Sequence, residues 1–145
     1  MSSPVPAPPH PWEPAPAPPA VECCTWDLDR PRQLAAARRD ARQHLTREPD
    51  GASAETAEHV VMVLDELASN ALRHGSPPAS IELCRHADGW LVIAVDAAPE
   101  RFPEPAVDRP AERGGMGLHM VARLTVRHGM DRDRHRKTVW ALVAH

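Results

Sequence analysis

Four polar residues in the middle of the chain, spaced three and four positions apart, fall on one face of a helix. They are Glu66, Ser69, Asn70 and Arg73. A second face of the same segment is apolar and is formed by Val60, Val63, Leu64, Leu67 and Ala71. This spacing is typical of a helix that packs on a core. The Glu66 carboxylate is therefore stacked one turn from the Asn70 carboxamide, although polar faces of this kind are most often only solvated.

A glycine-rich segment further along the chain has the chemistry to bind phosphate. The residues Gly114-Gly115-Met116-Gly117-Leu118 run directly into a predicted helix. Glycine lets backbone amides approach a phosphate closely, and the N-terminus of a helix adds partial positive charge. Upstream, residues 92–95 are apolar and are followed by Asp96, which predicts a buried strand with a carboxylate at its end. The occurrence of all three elements in this order favours a functional site.

Cap and turn residues indicate the elements that position these groups. Ser53 caps the long helix, which Gly75 ends near His74. An earlier helix is capped by Asp29 and has Pro31 in its first turn. The remaining predicted elements are strands at residues 24–28, 80–85, 90–96, 125–128 and 137–143 and a helix at residues 117–124. This order predicts an α+β fold, a two-layer α/β sandwich with one mainly antiparallel mixed sheet.

The beginning of the chain differs in composition from the rest. Residues 1–22 are rich in alternating Pro and Ala, so they lack many backbone donors and have little apolar surface to bury. We therefore expect a disordered tail over residues 1–22 and one folded domain over residues 23–145.

Charge and cysteine content bound the class of protein. The net charge of −3 argues against a general nucleic-acid binder. No apolar stretch approaches the roughly 20 residues that span a bilayer, and no secretory signal is expected at the N-terminus. The three cysteines, Cys23, Cys24 and Cys84, have no zinc-ligand spacing, and two of them are adjacent. We therefore predict three free thiols in a reducing cytoplasm.

The segment from Glu66 to His74 resembles the N-box of the ATPase superfamily that includes gyrase, histidine kinases and the MutL mismatch-repair proteins. Asp96 resembles the aspartate of the first glycine box of that superfamily, and residues 114–118 resemble its second glycine box. Lys137-Thr138-Val139-Trp140 is similar to the final strand, in which a threonine lies near the adenine. The chain is small, and its lid, the loop between Asp96 and the second glycine box, is short. These two features make it most similar to the anti-sigma-factor serine/threonine kinases of the RsbW/SpoIIAB type.

The resemblance implies a histidine-kinase-like ATPase fold, also called the Bergerat fold, that closes on ATP and Mg²⁺. It makes Glu66 the general base for a substrate hydroxyl, Asn70 a ligand of Mg²⁺ and Asp96 the acceptor for the adenine amino group. The implied nucleotide-binding residues are Asn70, His74, Asp96, Gly114, Gly115, Gly117 and Thr138. The chain departs from the family pattern after Asp96, because Ala97-Ala98 stands where the superfamily has x-Gly.

For function, the resemblance implies a cytoplasmic anti-sigma factor that is also a protein serine/threonine kinase. Such a kinase holds a sigma factor and phosphorylates an anti-anti-sigma partner with a STAS domain. A homodimer is expected, with no direct contact to nucleic acid or membrane. Arg38, Arg39 and Arg42 form either a docking surface or a merely solvated basic face.

Two other functions remain open from the sequence. The first is a module, with or without nucleotide, that regulates a partner by sequestering it without phosphotransfer. The missing glycine after Asp96 favours this alternative, whereas Glu66 and Asn70 together oppose it. The second is a detached catalytic domain of a histidine kinase, against which stands the lack of an evident phosphoacceptor helix.

Overall fold

The computed structural model describes residues 12–47, 51–101 and 115–145, which form one sheet and three helices. The elements are β1 (Val21–Asp27), α1 (Pro31–Leu45), α2 (Ala54–His74), β2 (Ser80–His86), β3 (Gly89–Asp96), α3 (Gly115–Leu124), β4 (Arg127–Arg132) and β5 (Lys137–Ala144). The strand order is β1-β2-β3-β5-β4, and each neighbouring pair is antiparallel. Helices on one side of a largely antiparallel sheet confirm the predicted α+β sandwich.

The long helix α2 begins and ends at the residues that its caps predict. The Ser53 side chain accepts a hydrogen bond from the backbone N–H of Thr56 at 3.1 Å, and Gly75 donates its amide to the carbonyl of Ala71 at 3.0 Å. The apolar side of α2 packs against β2, β3 and β5, and α1 and α3 pack alongside it. None of the helices within the described ranges is long and apolar enough to cross a membrane.

Other element boundaries differ from the prediction by a few residues. Arg30, and not Asp29, is the N-cap of α1, and its backbone amide donates to Gln33 Oε1 at 2.8 Å. The Thr125 hydroxyl donates to the carbonyl of Val121 at 2.8 Å. This bond ties Thr125 to the last turn of α3, so β4 starts later than the strand predicted at residues 125–128.

Side-chain alternation gives the sheet two apolar faces. The face toward the helices is formed mainly by Trp90, Val92, Ala94, Val139, Ala141 and Val143. The opposite face is formed mainly by Cys84, Leu91, Trp140 and Leu142, none of which is more than 2% exposed. Because this second face is as apolar as a core, another part of the molecule must cover it.

The segment of residues 12–20 covers this second face. Three of its alanines pack against the face. The Ala15 amide donates to the carbonyl of Met130 at 2.8 Å, and the indole N–H of Trp140 donates to the Ala15 carbonyl at 2.8 Å. Trp12 is only 7% exposed and belongs to the main core. The predicted boundary at residue 23 therefore lies too late in the chain.

The residues between the prolines explain why this segment packs on the domain. Alanine keeps its backbone amide, so the segment retains donors at Ala15, and Trp12 supplies the apolar area that the composition seemed to lack. Strand β1 also begins at Val21, within the predicted tail. Residues 1–11 of that tail lie outside the described residues.

A disulfide links Cys23 to Cys84, and Cys24 is a free cysteine. The prediction of three free thiols is therefore wrong for two of them. Antiparallel pairing of β1 with β2, with an irregularity between Val21 and Cys24, sets Cys23 beside Cys84. The two residues are 61 positions apart in sequence, so their contact depends on strand register and not on local spacing.

Candidate functional site

Polar side chains from the last turns of α2 meet at one place, as their spacing predicts. Asn70 is buried, with 6% of its surface exposed, and the Glu66 side chain is 17% exposed. The Arg73 guanidinium lies 3.5 Å from Glu66 Oε1 and 3.5 Å from Asn70 Oδ1. His74 is the last residue of α2, one turn beyond Asn70. One cation therefore faces both the carboxylate and the carboxamide.

Two buried polar atoms of this cluster, Glu66 Oε1 and Asn70 Nδ2, have no hydrogen-bond partner among the described residues. The Arg73 contact with Glu66 Oε1 is 3.5 Å, which is longer than the about 2.7–3.2 Å of an ordinary N–H···O bond. A buried polar group without a hydrogen bond costs about 1–3 kcal/mol. Polar atoms kept at this cost are typical of a site that a ligand or an ion completes.

The electrostatic environment of Glu66 suits a proton acceptor. Burial raises the pKa of Glu66 above the ordinary value of 4.5, the Arg73 cation partly opposes this effect, and the Asp65 carboxylate adds to it. A carboxylate whose pKa is raised toward neutrality accepts a proton more readily in a reaction. The site therefore holds a candidate general base at the predicted residue.

The glycine-rich segment approaches the same carboxylate from α3. A β-carbon at Gly117 would overlap the Glu66 carboxylate, so the two residues are in direct contact. Gly115 is the first residue of α3, where backbone N–H groups of the first turn are available to an anion. Gly114, the third predicted glycine, lies outside the described residues. The structure thus places a helix N-terminus beside the candidate base.

Asp96 ends β3 in a buried position with 2% of its surface exposed. Its Oδ1 atom accepts a hydrogen bond from the backbone N–H of Ala98 at 2.8 Å. Its Oδ2 atom lies 3.4 Å from Nζ of Lys137, which is itself 2% exposed. The Lys137 ammonium also donates to the carbonyl of Arg101. Lys137 is not among the residues predicted for the site, and the signal for it in the sequence is a lysine at the start of an otherwise apolar strand.

A small cavity joins the two parts of the site. Its lining residues are Leu67, Asn70, Ala71, Ala94, Asp96, Lys137 and Val139. The cavity volume is about 10 Å³, close to the least space that a single water molecule needs. The carboxamide of Asn70 and the carboxylate of Asp96 therefore border one enclosed space, and that space is narrow in this structure.

Thr138, the residue predicted to lie near the adenine, is not part of this cluster. It pairs with Val95 of β3, whereas its neighbour Lys137 pairs with Asp96. Successive side chains of a strand point to opposite faces, so Thr138 lies on the face away from Asp96. The resemblance pointed to the strand that borders Asp96, but Lys137, the residue before Thr138, is the one on the face of Asp96, and a shift of one position exchanges the faces.

The basic residues of α1 are in part paired with the neighbouring helix. Arg38 lies 3.3 Å from Asp65, and Arg42 lies 3.4 Å from Glu58, both on α2. These exposed pairs join α1 to α2 and reduce the positive charge of the surface that the sequence offered for docking. Arg39 is exposed on the same helix.

Comparison with known proteins adds one finding to this geometry. A family model described as a histidine kinase-like ATPase domain matches residues 28–143, which is most of the chain. The matched range runs from just before α1 to the last residues of β5 and contains every predicted site residue. Among curated proteins, no sequence matches this chain.

Proposed function

The chain belongs to the family of histidine kinase-like ATPase domains, and from that premise we propose that it is an ATP-binding protein serine/threonine kinase that acts as an anti-sigma factor. In this proposal it holds a sigma factor and phosphorylates a STAS-type anti-anti-sigma partner. The observation that supports it most is the convergence of Glu66, Asn70 and Gly117, which come from two helices. Family membership supports ATP binding, and the kinase reaction is our extension of it.

Each element of the site has a role in the proposed reaction. Asp96 accepts a hydrogen bond from the exocyclic amino group of adenine, and the backbone amides at the start of α3 bind phosphate oxygens. Glu66 accepts the proton of a substrate serine or threonine hydroxyl while the hydroxyl oxygen forms a bond to the γ-phosphorus. The bond between the γ-phosphorus and the bridging oxygen breaks, and ADP leaves. Arg73, which faces Glu66, keeps the carboxylate directed toward the phosphate side.

The residues present also fit a magnesium ion. Mg²⁺ prefers oxygen ligands, and it is held by few protein groups together with phosphate oxygens and water. Asn70 offers the Oδ1 atom of a buried carboxamide, and the hydrogen bond that this oxygen accepts from Arg73 is long at 3.5 Å, so the oxygen is held only weakly by the protein. In the proposal Asn70 holds Mg²⁺, and the ion supplies charge neutralisation for the triphosphate.

The proposal includes a homodimer in the cytoplasm that acts through proteins and not through nucleic acid. The exposed surface of α1 around Arg39 is the proposed docking surface, since Arg38 and Arg42 are partly neutralised by α2. Its test is the loss of partner binding in Arg39→Glu with nucleotide affinity unchanged.

One observation favours a second function, regulation of a partner by sequestration alone. Lys137 already pairs with the Asp96 carboxylate, and the cavity beside them has a volume of only about 10 Å³. A domain whose base pocket stays closed would bind a partner without transferring phosphate. The sequence Asp96-Ala97-Ala98, which lacks the glycine of the family pattern, supports the same alternative.

Phosphotransfer from radiolabelled ATP to purified STAS-domain proteins separates the two functions. A kinase labels a partner, and the label is lost in Glu66→Gln. A sequestering module forms a stable complex with the partner but leaves it unlabelled. Binding without label, in the presence of Mg²⁺ and of nucleotide at high concentration, would overturn the kinase proposal.

A further inference from the structure

Lys137 is a buried ammonium group, and its partners among the described residues are Asp96 at the end of β3 and Arg101 a few positions later. It lies 3.4 Å from Asp96 Oδ2 and donates to the carbonyl of Arg101. A buried ammonium is costly unless it is paired and hydrogen-bonded. These two partners therefore hold the side chain in place, because Lys137 is only 2% exposed to bulk solvent.

Strand register determines that Lys137 faces the site. Asp96 is the last residue of β3 and Lys137 is the first residue of β5, and the two are directly opposite in the antiparallel ladder. Residues opposite one another in a ladder project from the same face of a sheet. The face is the one that packs on α2, where Asn70 and Leu67 complete the lining of the cavity.

The cavity that the described residues form beside this pair is too small for a nucleotide base. Its volume of about 10 Å³ suits one water molecule, whereas pockets for small organic ligands have volumes of about 300–1,000 Å³. Leu67, Ala71, Ala94 and Val139 line it from helix α2 and from the two central strands, where close packing resists movement. Lys137 is the longest and most flexible side chain in the lining.

We propose that Lys137 gates the base pocket: its ammonium occupies the Asp96 carboxylate until nucleotide binds, and adenine enters only when that ammonium withdraws. The inference rests on the proposed binding of ATP, and it names the residue that sets its affinity. Adenine then replaces a charged partner of Asp96 with a neutral amino group. The form in which the Lys137 ammonium has withdrawn from Asp96 is a minor population in the free protein. The observed affinity for ATP is therefore lower than that of this form, in proportion to its fraction.

The experiment compares Lys137→Met with the wild-type protein by isothermal titration calorimetry of ATP in the presence of Mg²⁺. Methionine keeps an unbranched apolar side chain of similar length but has no charge. We expect the variant to bind ATP about tenfold or more tightly than wild type. Arg136→Met removes a neighbouring positive charge at an exposed position and should leave the affinity at the wild-type value.

Inosine triphosphate tests whether the base that enters contacts Asp96. Inosine has a carbonyl where adenine has the amino group, so it has no donor there for the carboxylate. Lys137→Met should therefore bind ATP more tightly than inosine triphosphate, and equal affinity for the two nucleotides would overturn the contact of adenine with Asp96. The double variant Lys137→Met with Asp96→Asn should lose the gain, because the amide is a weaker acceptor and also presents its own donor.

A thermal-shift assay keeps the inference testable if removal of the cation weakens the fold. Lys137→Arg, which retains a cation for Asp96, should show a melting temperature near that of wild type and low ATP affinity. Wild-type protein that binds ATP as tightly as Lys137→Met would overturn the gate and leave the proposed function standing. Failure of both proteins to bind ATP would overturn the proposed function and the gate together.

Discussion

The carboxylate of Glu66 on α2 lies directly against Gly117 in the first turn of α3, with no room for a β-carbon between them. The contact brings the candidate base to the end of a helix whose N-terminal amides are the candidate phosphate ligands. It also explains the glycine at this position, since any other residue would displace the carboxylate.

Substitution Gly117→Ala should therefore reduce phosphotransfer without unfolding the protein. The new methyl group meets the end of a flexible side chain, so Glu66 turns aside, while alanine favours the helix by about 1 kcal/mol. We expect transfer to fall about tenfold or more and the melting temperature to stay equal or rise. Gly75→Ala is the contrasting variant, since its β-carbon meets a backbone carbonyl and the buried Asp96, and it should destabilise. Full activity in Gly117→Ala would contradict the importance of this contact.

The second prediction concerns the base itself. Glu66→Gln is nearly isosteric, and the contacts proposed for ATP belong to Asn70, Asp96 and the α3 amides. Phosphotransfer should fall about 10²-fold or more, the usual size of a lost general base, while calorimetry shows unchanged ATP affinity. Asp65→Asn, which changes the neighbouring carboxylate, is the matched control and should retain most of the activity. If Glu66→Gln keeps the wild-type rate, Glu66 is not the base.

The raised pKa of Glu66 predicts a pH dependence with a defined sign. Below its raised pKa the carboxyl group is protonated and cannot accept a proton, so the transfer rate should fall with decreasing pH at a value above 4.5. Arg73→Met removes the cation that opposes the shift, so the fall should occur at a still higher pH. If the rate depends on pH in the same way in both proteins, protonation of Glu66 does not cause the pH dependence.

The same group links folding stability to pH. Because the folded state holds this proton more tightly than the unfolded state, its stabilisation is present below 4.5 and is lost as the pH rises through the folded pKa. Chemical denaturation over this window should show wild type losing stability relative to Glu66→Gln as the pH increases. The reverse slope would mean that the pKa is lowered and that Arg73 outweighs burial.

Asn70 and Asp96 should both be needed for ATP, with different effects on the free protein. Asn70→Ala and Asp96→Asn should each weaken binding by about tenfold or more, as expected for lost contacts of about 1–3 kcal/mol. Asp96→Asn should also lower the melting temperature because it leaves the buried Lys137 ammonium without its counter-charge. Asn70→Ala removes an amide nitrogen that has no partner among the described residues, so it should change stability less. Wild-type ATP affinity in both variants would exclude this pocket.

The N-terminal segment should contribute to stability, contrary to the sequence-based expectation of a disordered tail. Trp12→Ala should destabilise by about 1.5–3 kcal/mol, the range for burial of a large apolar side chain, whereas the exposed Glu13→Ala should have little effect. Deletion of residues 1–20 should lower the melting temperature further and increase binding of a hydrophobic dye, since Trp140 and Leu142 lose their cover. Unchanged melting after this deletion would restore the predicted boundary.

The sequence alone determined the features that depend on near neighbours in the chain. The Ser53 cap and the Gly75 end of α2 follow from local backbone chemistry, and strands β2 and β3 follow from the local sequence pattern. The common face of Glu66 and Asn70 follows from the helical repeat, which does not depend on what packs nearby. These features were sufficient to predict the fold class and to bring together the residues at the centre of the candidate site.

Only the tertiary structure decided the features that depend on strand register and on contacts between distant segments. Lys137, and not Thr138, faces Asp96 because a strand alternates its side chains, so an error of one residue exchanges the two faces. Cys23 meets Cys84 across 61 positions, and residues 12–20 bind a sheet face that exists only once β3 and β5 have paired. Local periodicity contains no information on which distant strands pair or at which residue their ladder begins.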